Sequence, residues 1–193
     1  MRIIGGTYKG IKIFESFDKN TRPLKDLVKE SILNILQHSK DSRVELNNSS
    51  ILDLFSGTGS FGLECISRGA TKVYFVENYN QSLEILHKNI KKLKCEKQTK
   101  VFNKDVFNFF KSEEIKNGEL DLIFLDPPYK EENIEIILEN IVKLKLLKAS
   151  GLIVLHRHKN SKDNFSNKFN IKRSVKYGIS KIIFIKINWV ISF

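Results

Sequence analysis

The chain has 193 residues, of which 33 are lysine or arginine and 22 are aspartate or glutamate, so its formal net charge is +11. The length and the 41% hydrophobic content suit one domain with a short appendage and exclude a disordered chain. No run reaches the roughly 20 apolar residues of a membrane span, and the first residues form no secretory signal, so we expect a cytoplasmic protein. Two cysteines exclude a disulfide scaffold or a zinc finger, and the positive charge favours a nucleic acid as partner.

Residues 1–40 are predicted to form an appendage of a short strand pair and one helix. Isoleucines on either side of Gly5-Gly6 and Gly10 indicate the strand pair. The helix follows Pro23, and its apolar residues recur at helical spacing: Leu24, Val28, Ile32 and Ile35. Cations three and four residues apart project together from another face: Arg22, Lys25 and Lys29.

Residues 41–193 alternate apolar runs with amphipathic helices, which is typical of βαβ units and a parallel sheet. The predicted parallel strands are residues 50–55, 71–77, 100–105, 119–126 and 151–156. Residues 170–178 and 180–191 then predict an antiparallel hairpin around Gly178. The pattern therefore predicts an α/β fold with a seven-stranded, mostly parallel sheet.

A glycine-rich turn follows the first strand. Gly57, Gly59 and Gly62 form a GxGxxG pattern, which allows a tight turn and a close backbone approach by a ligand. Glu77 ends the second strand 20 residues after Gly57, where an acid can accept the hydroxyls of an adenosine ribose. Both a nicotinamide dinucleotide and S-adenosylmethionine fit this arrangement. Asp53, four residues before Gly57, suits a cationic amino-acid moiety better than a pyrophosphate, so we favour S-adenosylmethionine.

The fourth strand ends in Asp126-Pro127-Pro128-Tyr129. The carboxyl ends of parallel strands line the ligand crevice, so Asp126 is predicted to face the same cleft as the glycine-rich turn. The prolines fix the backbone and leave carbonyls to accept hydrogen bonds from an amino group. Tyr129 offers a flat face for a planar base. A plain proline turn is the structural alternative.

His156 and His158 flank Arg157 at the end of the fifth strand. Such a pair could suggest a metal ion or a base. Because no third ligand stands at a suitable spacing, we predict no metal site.

Taken together, the motif Asp53-x-Phe55-x-Gly57-x-Gly59, the ribose acid and Asp126-Pro127-Pro128-Tyr129 resemble class I S-adenosylmethionine-dependent methyltransferases that modify exocyclic amino groups of bases. The chain is most similar to the bacterial 16S rRNA guanine-N2-methyltransferase family of the RsmD type. The similarity runs through residues 1–13, 21–36, 52–70 and 124–129, almost end to end. It implies a Rossmann-like methyltransferase domain over residues 41–193 and an RNA-facing extension over residues 1–40.

The resemblance also implies roles for individual residues. Those assigned to the cofactor are Asp53, Phe55, Gly57 and Gly59 at the methionine end, Glu77 at the ribose, and Asp105 with Val106 at the adenine. Asp105 is at the same time a candidate N-cap of the following helix. The residues assigned to catalysis are Asp126, Pro127 and Tyr129. Independently of the resemblance, the basic residues of the strand pair and of the helix face are predicted to contact RNA phosphates, with a solvated surface as the alternative: Arg2, Lys9, Lys12, Arg22, Lys25 and Lys29.

The partner implied is 16S rRNA, within the 30S subunit or an assembly intermediate, and the protein is expected to act as a monomer without membrane contact. Two alternatives stay open at this point. One is a DNA adenine-N6 methyltransferase, which shares the Asp-Pro-Pro-Tyr motif. The other is an RNA-binding protein that retains the methyltransferase fold without catalysis.

Overall fold

The computed structural model describes residues 1–16, 18, 24–112 and 114–189, and these form one sheet with helices on both faces. The helices are α1 (Asp26–His38), α2 (Ser60–Ser67), α3 (Asn80–Leu93), α4 (Val106–Lys111) and α5 (Ile134–Lys143). The strands are β1 (Ser50–Leu54), β2 (Lys72–Glu77), β3 (Thr99–Asn103), β4 (Leu120–Leu125), β5 (Leu147–His158), β6 (Phe169–Tyr177) and β7 (Ser180–Ile187).

The seven strands lie in the order β3-β2-β1-β4-β5-β7-β6. Strands β1 to β5 are parallel, β7 runs antiparallel to β5, and β6 runs antiparallel to β7. The predicted Rossmann-like sheet with a C-terminal antiparallel hairpin is therefore confirmed, and Gly178 adopts a φ of 57° in the hairpin turn. The strand order reverses between β1 and β4, so a ligand crevice is expected at the carboxyl ends of these two strands.

The central strands are apolar on both faces because helices cover both. Ile51 and Phe124 face a core shared with α1, α2, α3 and the N-terminal residues. Leu52 and Leu125 face the opposite core, which α4 and α5 cover. None of the helices in the described ranges combines the length and the apolar character that a membrane span requires.

Residues 1–16, here called the N-terminal arm, fold back on themselves as the glycines predict. The predicted strand pair is reduced to a single antiparallel bridge between Arg2 and Lys12. Ile3 and Ile13 are buried in the core formed with α1 to α3. The arm is therefore packed onto the sheet domain through its apolar side chains.

The buried face of α1 and the start of β5 differ from the sequence prediction. The buried face of α1 includes Leu33 and Leu36, whereas Ile35 is only half-buried, because the helix turns a slightly different face to the core. Strand β5 begins at Leu147 and not at Gly151, and its pairing with β4 contains a register shift near Leu120. The predicted strand residues 190 and 191 lie outside the described residues.

Candidate active site

The turn between β1 and α2, residues 55–59, is the glycine loop. The φ angles of Phe55, Gly57 and Gly59 are 60°, 54° and 81°, so the chain passes three times through the left-handed region. A positive φ costs free energy in a residue with a side chain and is found most often at functional sites. The loop is held by hydrogen bonds from Ser56 N to Val76 O (3.1 Å) and from Gly59 N to Ser56 O (2.8 Å). It ends at Gly59, the N-cap of α2.

The carboxylate of Glu77 joins the glycine loop to the end of β2. Its Oε2 accepts a hydrogen bond from Gly57 N at 2.7 Å. Its Oε1 accepts bonds from Asn78 N (3.0 Å) and Tyr79 N (2.8 Å). The structure thus brings together Gly57 and Glu77, which are 20 residues apart in the sequence, and fixes the carboxylate beside the glycine loop.

Asp53 lies beneath the glycine loop and is only 1% exposed. Its Oδ2 accepts a hydrogen bond from Gly62 N at 2.9 Å. Burial raises the pKa of the Asp53 carboxyl well above its usual range; the Gly62 bond acts in the opposite direction, and the charges of Asp126 and Glu77 raise the pKa further. Three carboxyl groups therefore share this end of the crevice. A cationic group among them would offset their repulsion. The three carboxyl groups therefore fit the positive sulfonium and ammonium charges of S-adenosylmethionine.

Asp105 and Val106 follow β3 at the same edge of the sheet. Asp105 is the N-cap of α4, and its Oδ1 accepts a hydrogen bond from Phe107 N at 2.9 Å. The predicted capping role is therefore confirmed. Val106 is buried against the core beneath α4. Their assignment to the adenine stays a prediction.

The Asp-Pro-Pro-Tyr segment, residues 126–129, leaves the carboxyl end of β4. Asp126 N donates a hydrogen bond to Leu54 O at 3.3 Å, which ties the segment to the end of β1 where the glycine loop starts. The Asp126 side chain is 13% exposed, Pro127 is buried and Tyr129 is half-buried. The expected convergence of this segment with the glycine loop is therefore present in the fold.

The contact between Asp126 and His156 was not predicted from the sequence. The imidazole Nδ1 of His156 lies 2.8 Å from Asp126 Oδ1, and His156 is 1% exposed. Asp126 and His156 each end a predicted strand, and these two strands are consecutive in the chain. The sequence does not show that the two strands pair side by side, which depends on the tertiary structure. Over the ranges that the structure describes, no group of three or more histidine, cysteine, aspartate or glutamate side chains is placed to hold a metal ion.

The cations assigned to RNA have different surroundings. Arg2, Lys9, Lys12 and Lys25 are exposed, so they are available to phosphates, and Arg22 lies outside the described residues. The assignment of Lys29 to an exposed phosphate-binding face is wrong, because its side chain is 0% exposed.

Lys29 is buried because α1 packs against the start of α2. Its Nζ lies 3.5 Å from Glu64 Oε2 and donates hydrogen bonds to Arg2 O (2.9 Å) and Ser60 Oγ (3.2 Å). Burial lowers the pKa of the Lys29 ammonium, whereas the carboxylates of Glu64 and Asp26 act in the opposite direction. Helical spacing alone could not separate a cation facing solvent from one paired inside the protein.

Two buried side chains attach the N-terminal arm to the sheet domain. Glu64 accepts hydrogen bonds from the backbone N–H groups of Ile4 and Gly5, each at 2.8 Å. Asn89 accepts a bond from Phe14 N (2.7 Å), and its amide donates to Phe14 O (3.1 Å) and to Thr58 O in the glycine loop (3.0 Å). The arm is therefore bonded, through Asn89, to the loop that the cofactor is expected to contact.

A mostly parallel sheet with this strand order, a strained glycine loop after β1 and an acid at the end of β2 define a class I methyltransferase. The chain belongs to the RsmD family of methyltransferases, whose family profile carries the description "conserved hypothetical protein 95" and matches residues 1–186. This membership confirms the predicted family and S-adenosylmethionine as its cofactor.

Individual relatives agree with this membership. The chain is 34% identical over 164 residues to ribosomal RNA small subunit methyltransferase D of Haemophilus influenzae, covering 82% of this chain and 79% of the relative. The solved structure of yhhF from Escherichia coli superimposes with a TM-score of 0.81 at 24% identity and covers 98% of both chains, which shows the shared fold. A more distant structure, SMU.776, was solved in complex with SAH; its TM-score is 0.62 at 16% identity, over 83% of this chain and 48% of that one.

Proposed function

We propose that this protein transfers a methyl group from S-adenosylmethionine to the exocyclic N2 of a guanine in 16S rRNA. The observation that carries the proposal is the position of Asp126, at the end of β4 and bonded through its backbone to the end of β1, beside the glycine loop. The name of the Haemophilus influenzae relative supports a small-subunit rRNA substrate. A cytoplasmic location and a monomeric state belong to the same proposal.

In this proposal, three sets of residues hold the cofactor. Asp53 and the glycine loop, with Phe55, Gly57 and Gly59, face its methionine end, and Glu77 faces its ribose. Asp105 and Val106 face its adenine. When bound, S-adenosylmethionine supplies an electrophilic methyl group whose S–C bond breaks with its electron pair going to sulfur.

The protein's own contribution is to position the amino group and localise its lone pair. The guanine N2 lone pair is delocalised into the ring, which makes it a poor nucleophile. The Asp126 carboxylate accepts a hydrogen bond from one N–H of this amino group, and the Pro127 carbonyl accepts a hydrogen bond from the other. The nitrogen therefore becomes pyramidal, and its lone pair is directed at the methyl group. Tyr129 stacks on the base. After transfer, the Asp126 carboxylate takes the proton that the nitrogen loses, so that positioning and electrostatics account for the chemistry.

Asp126→Ala tests this assignment. We expect the variant to lose tritium transfer from labelled S-adenosylmethionine to 30S particles, while its calorimetric affinity for S-adenosylmethionine stays within about threefold of wild type. Duplex DNA is the second substrate in the same assay. Transfer to DNA in preference to 30S particles would replace the rRNA proposal with the adenine-N6 alternative. Retained turnover by the variant would refute the role of Asp126, and failure of the wild type to bind S-adenosylmethionine would revive the catalytically silent alternative.

The proposed RNA contact consists of the exposed arm cations Arg2, Lys9 and Lys12 together with Lys25. Arg22, which lies outside the described residues, is assigned to the same contact from the sequence alone. The double variant Lys9→Glu/Lys12→Glu should raise the Kd for 16S rRNA and reduce the slope of log K against log salt, because fewer counterions are released. Lys97→Glu/Lys116→Glu is the matched control, since both lysines are exposed and precede the amino ends of β3 and β4, away from the crevice. Equal salt slopes for both double variants would refute an RNA contact by the arm.

A further inference from the structure

Three consecutive residues at the carboxyl end of β5 contact the Asp-Pro-Pro-Tyr segment or the turn after it. His156 Nδ1 lies 2.8 Å from Asp126 Oδ1. The Arg157 guanidinium donates a hydrogen bond to Glu131 O at 2.9 Å. The ring of His158 lies 5.0 Å from the ring of Tyr129 in an edge-on arrangement at 71°. The neighbouring strand therefore supports the segment at three successive points.

The pairing of β4 with β5 places His156 beside Asp126. Leu125 lies next to Leu155 in the parallel register. The residues that follow them, Asp126 and His156, both point to the face of the sheet opposite these leucines, because side chains alternate between the two faces. The contact is thus made between two rigid strand ends. Because His156 is 1% exposed, solvent cannot compete effectively for this hydrogen bond.

The chemistry of the Asp126–His156 pair decides which imidazole nitrogen of His156 carries the hydrogen. An ionised carboxylate only accepts hydrogen bonds, so the imidazole must carry its hydrogen on Nδ1 to make this contact. A bond to Oδ1 fixes the rotation of the carboxylate about its Cβ–Cγ bond, and with it the direction in which the second oxygen points. Arg157 adds rigidity behind the segment, since its Nε also donates to Asp163 Oδ1 at 2.9 Å.

We propose that His156 is a positioning residue for methyl transfer, which orients the Asp126 carboxylate toward the amino group of the substrate through an Nδ1–H hydrogen bond. This inference rests on the proposed function, because it assigns Asp126 to the reacting amine. His156 itself does not touch the substrate. Its effect falls on the rate of the transfer step and not on the binding of cofactor or RNA.

Three substitutions at this position separate orientation from packing. Asparagine places an amide nitrogen near the position of Nδ1, glutamine places one near the position of Nε2, and leucine supplies bulk without a donor. We expect His156→Leu to lower kcat at least tenfold with KM for 30S particles within about twofold of wild type. We expect His156→Asn to recover most of this loss and His156→Gln to recover little. His87→Asn, on the exposed face of α3, is the matched control and should behave as wild type.

A kcat for His156→Leu equal to that of wild type would overturn the inference, as would equal losses in the leucine and asparagine variants. A spectroscopic test does not depend on the substrate. In ¹⁵N-labelled protein, the imidazole signal that disappears in His156→Asn should report the Nδ1–H tautomer and should shift in Asp126→Asn. An Nε2–H tautomer that Asp126→Asn leaves unchanged would overturn the contact itself. A wild type that methylates none of the substrates tested but shows the expected imidazole signal would instead count against the proposed function.

Discussion

Replacing Asp53 by asparagine is expected to change the pH dependence of stability in a direction that the structure fixes. Asp53 is buried, and burial raises the pKa of its carboxyl well above the usual range. The native state therefore holds a proton at pH values where the unfolded chain has already lost it. Because the native state binds more protons, the free energy of unfolding falls as pH rises above about 4, the ordinary pKa of aspartate, up to the native pKa.

The size of the effect follows from proton linkage. One proton held only by the native state changes the free energy of unfolding by at most about 1.4 kcal/mol per pH unit. Asparagine does not titrate, and its Oδ1 can still accept the hydrogen bond from Gly62 N. Its buried NH₂ group adds a cost of about 1 to 3 kcal/mol if it is left without a partner, but this cost is the same at every pH. The stability of Asp53→Asn relative to wild type should therefore rise with pH.

Urea unfolding without S-adenosylmethionine, between about pH 5 and pH 8, measures this difference, provided that the m-values of the two proteins agree. Glu114→Gln is the control. Glu114 is paired with Lys100 and Lys104, whose hydrogen bonds lower its pKa, so its contribution is present above its ordinary pKa and is lost only as pH falls below that value. Its relative stability should be flat over this range. A flat profile for Asp53→Asn would refute the argument.

Two further substitutions test the packing that supports the site. Lys29→Met should lower the free energy of unfolding by about 1 to 3 kcal/mol, because the buried Glu64 carboxylate loses its ammonium partner and keeps only the Arg68 guanidinium, whose Nε lies 3.1 Å from Glu64 Oε1. Lys29→Met/Glu64→Gln should recover part of this loss in urea titrations, and a single variant as stable as wild type would contradict the buried pair. Gly62→Ala should cost about 1 to 3 kcal/mol in thermal unfolding, because its Cβ would lie 2.3 Å from the Phe75 ring. At Gly118, unlike at Gly62, the φ of 65° is unfavourable for alanine, but nothing lies within 4 Å of an added Cβ, so Gly118→Ala should cost about 1 kcal/mol. An equal loss at both glycines would count against the steric argument.

The sheet and the main site motifs were accessible from the sequence because they depend on local patterns. Apolar runs alternating with helical periodicity predicted the five parallel strands and the final hairpin, and these seven strands form the sheet of the structure. Asp126 and the glycine loop were predicted to meet because parallel strands end at a common edge. The prediction of a helix after Pro23 was also correct, although Ile35 was predicted on its buried face and is only half-buried.

Side-chain environments were less accessible, because they depend on which elements pack together. Lys25 and Lys29 have the same spacing as any pair on one helix face, yet Lys25 is exposed and Lys29 is buried against Glu64. Nothing in the local sequence of α1 states that a carboxylate of α2 lies opposite. Asn89 in α3 likewise gave no sign that it would bond to Phe14 and Thr58.

The sequence by itself determined the class of fold, the glycine loop and the acid at the end of β4, since residue type and spacing are sufficient for each. Only the tertiary structure decided how these residues are held. Strand register placed His156 against Asp126, and helix packing removed Lys29 from the surface. The physical reason is that periodicity encodes which side of an element is apolar, whereas hydrogen-bond partners and charge pairing depend on contacts between residues far apart in the chain.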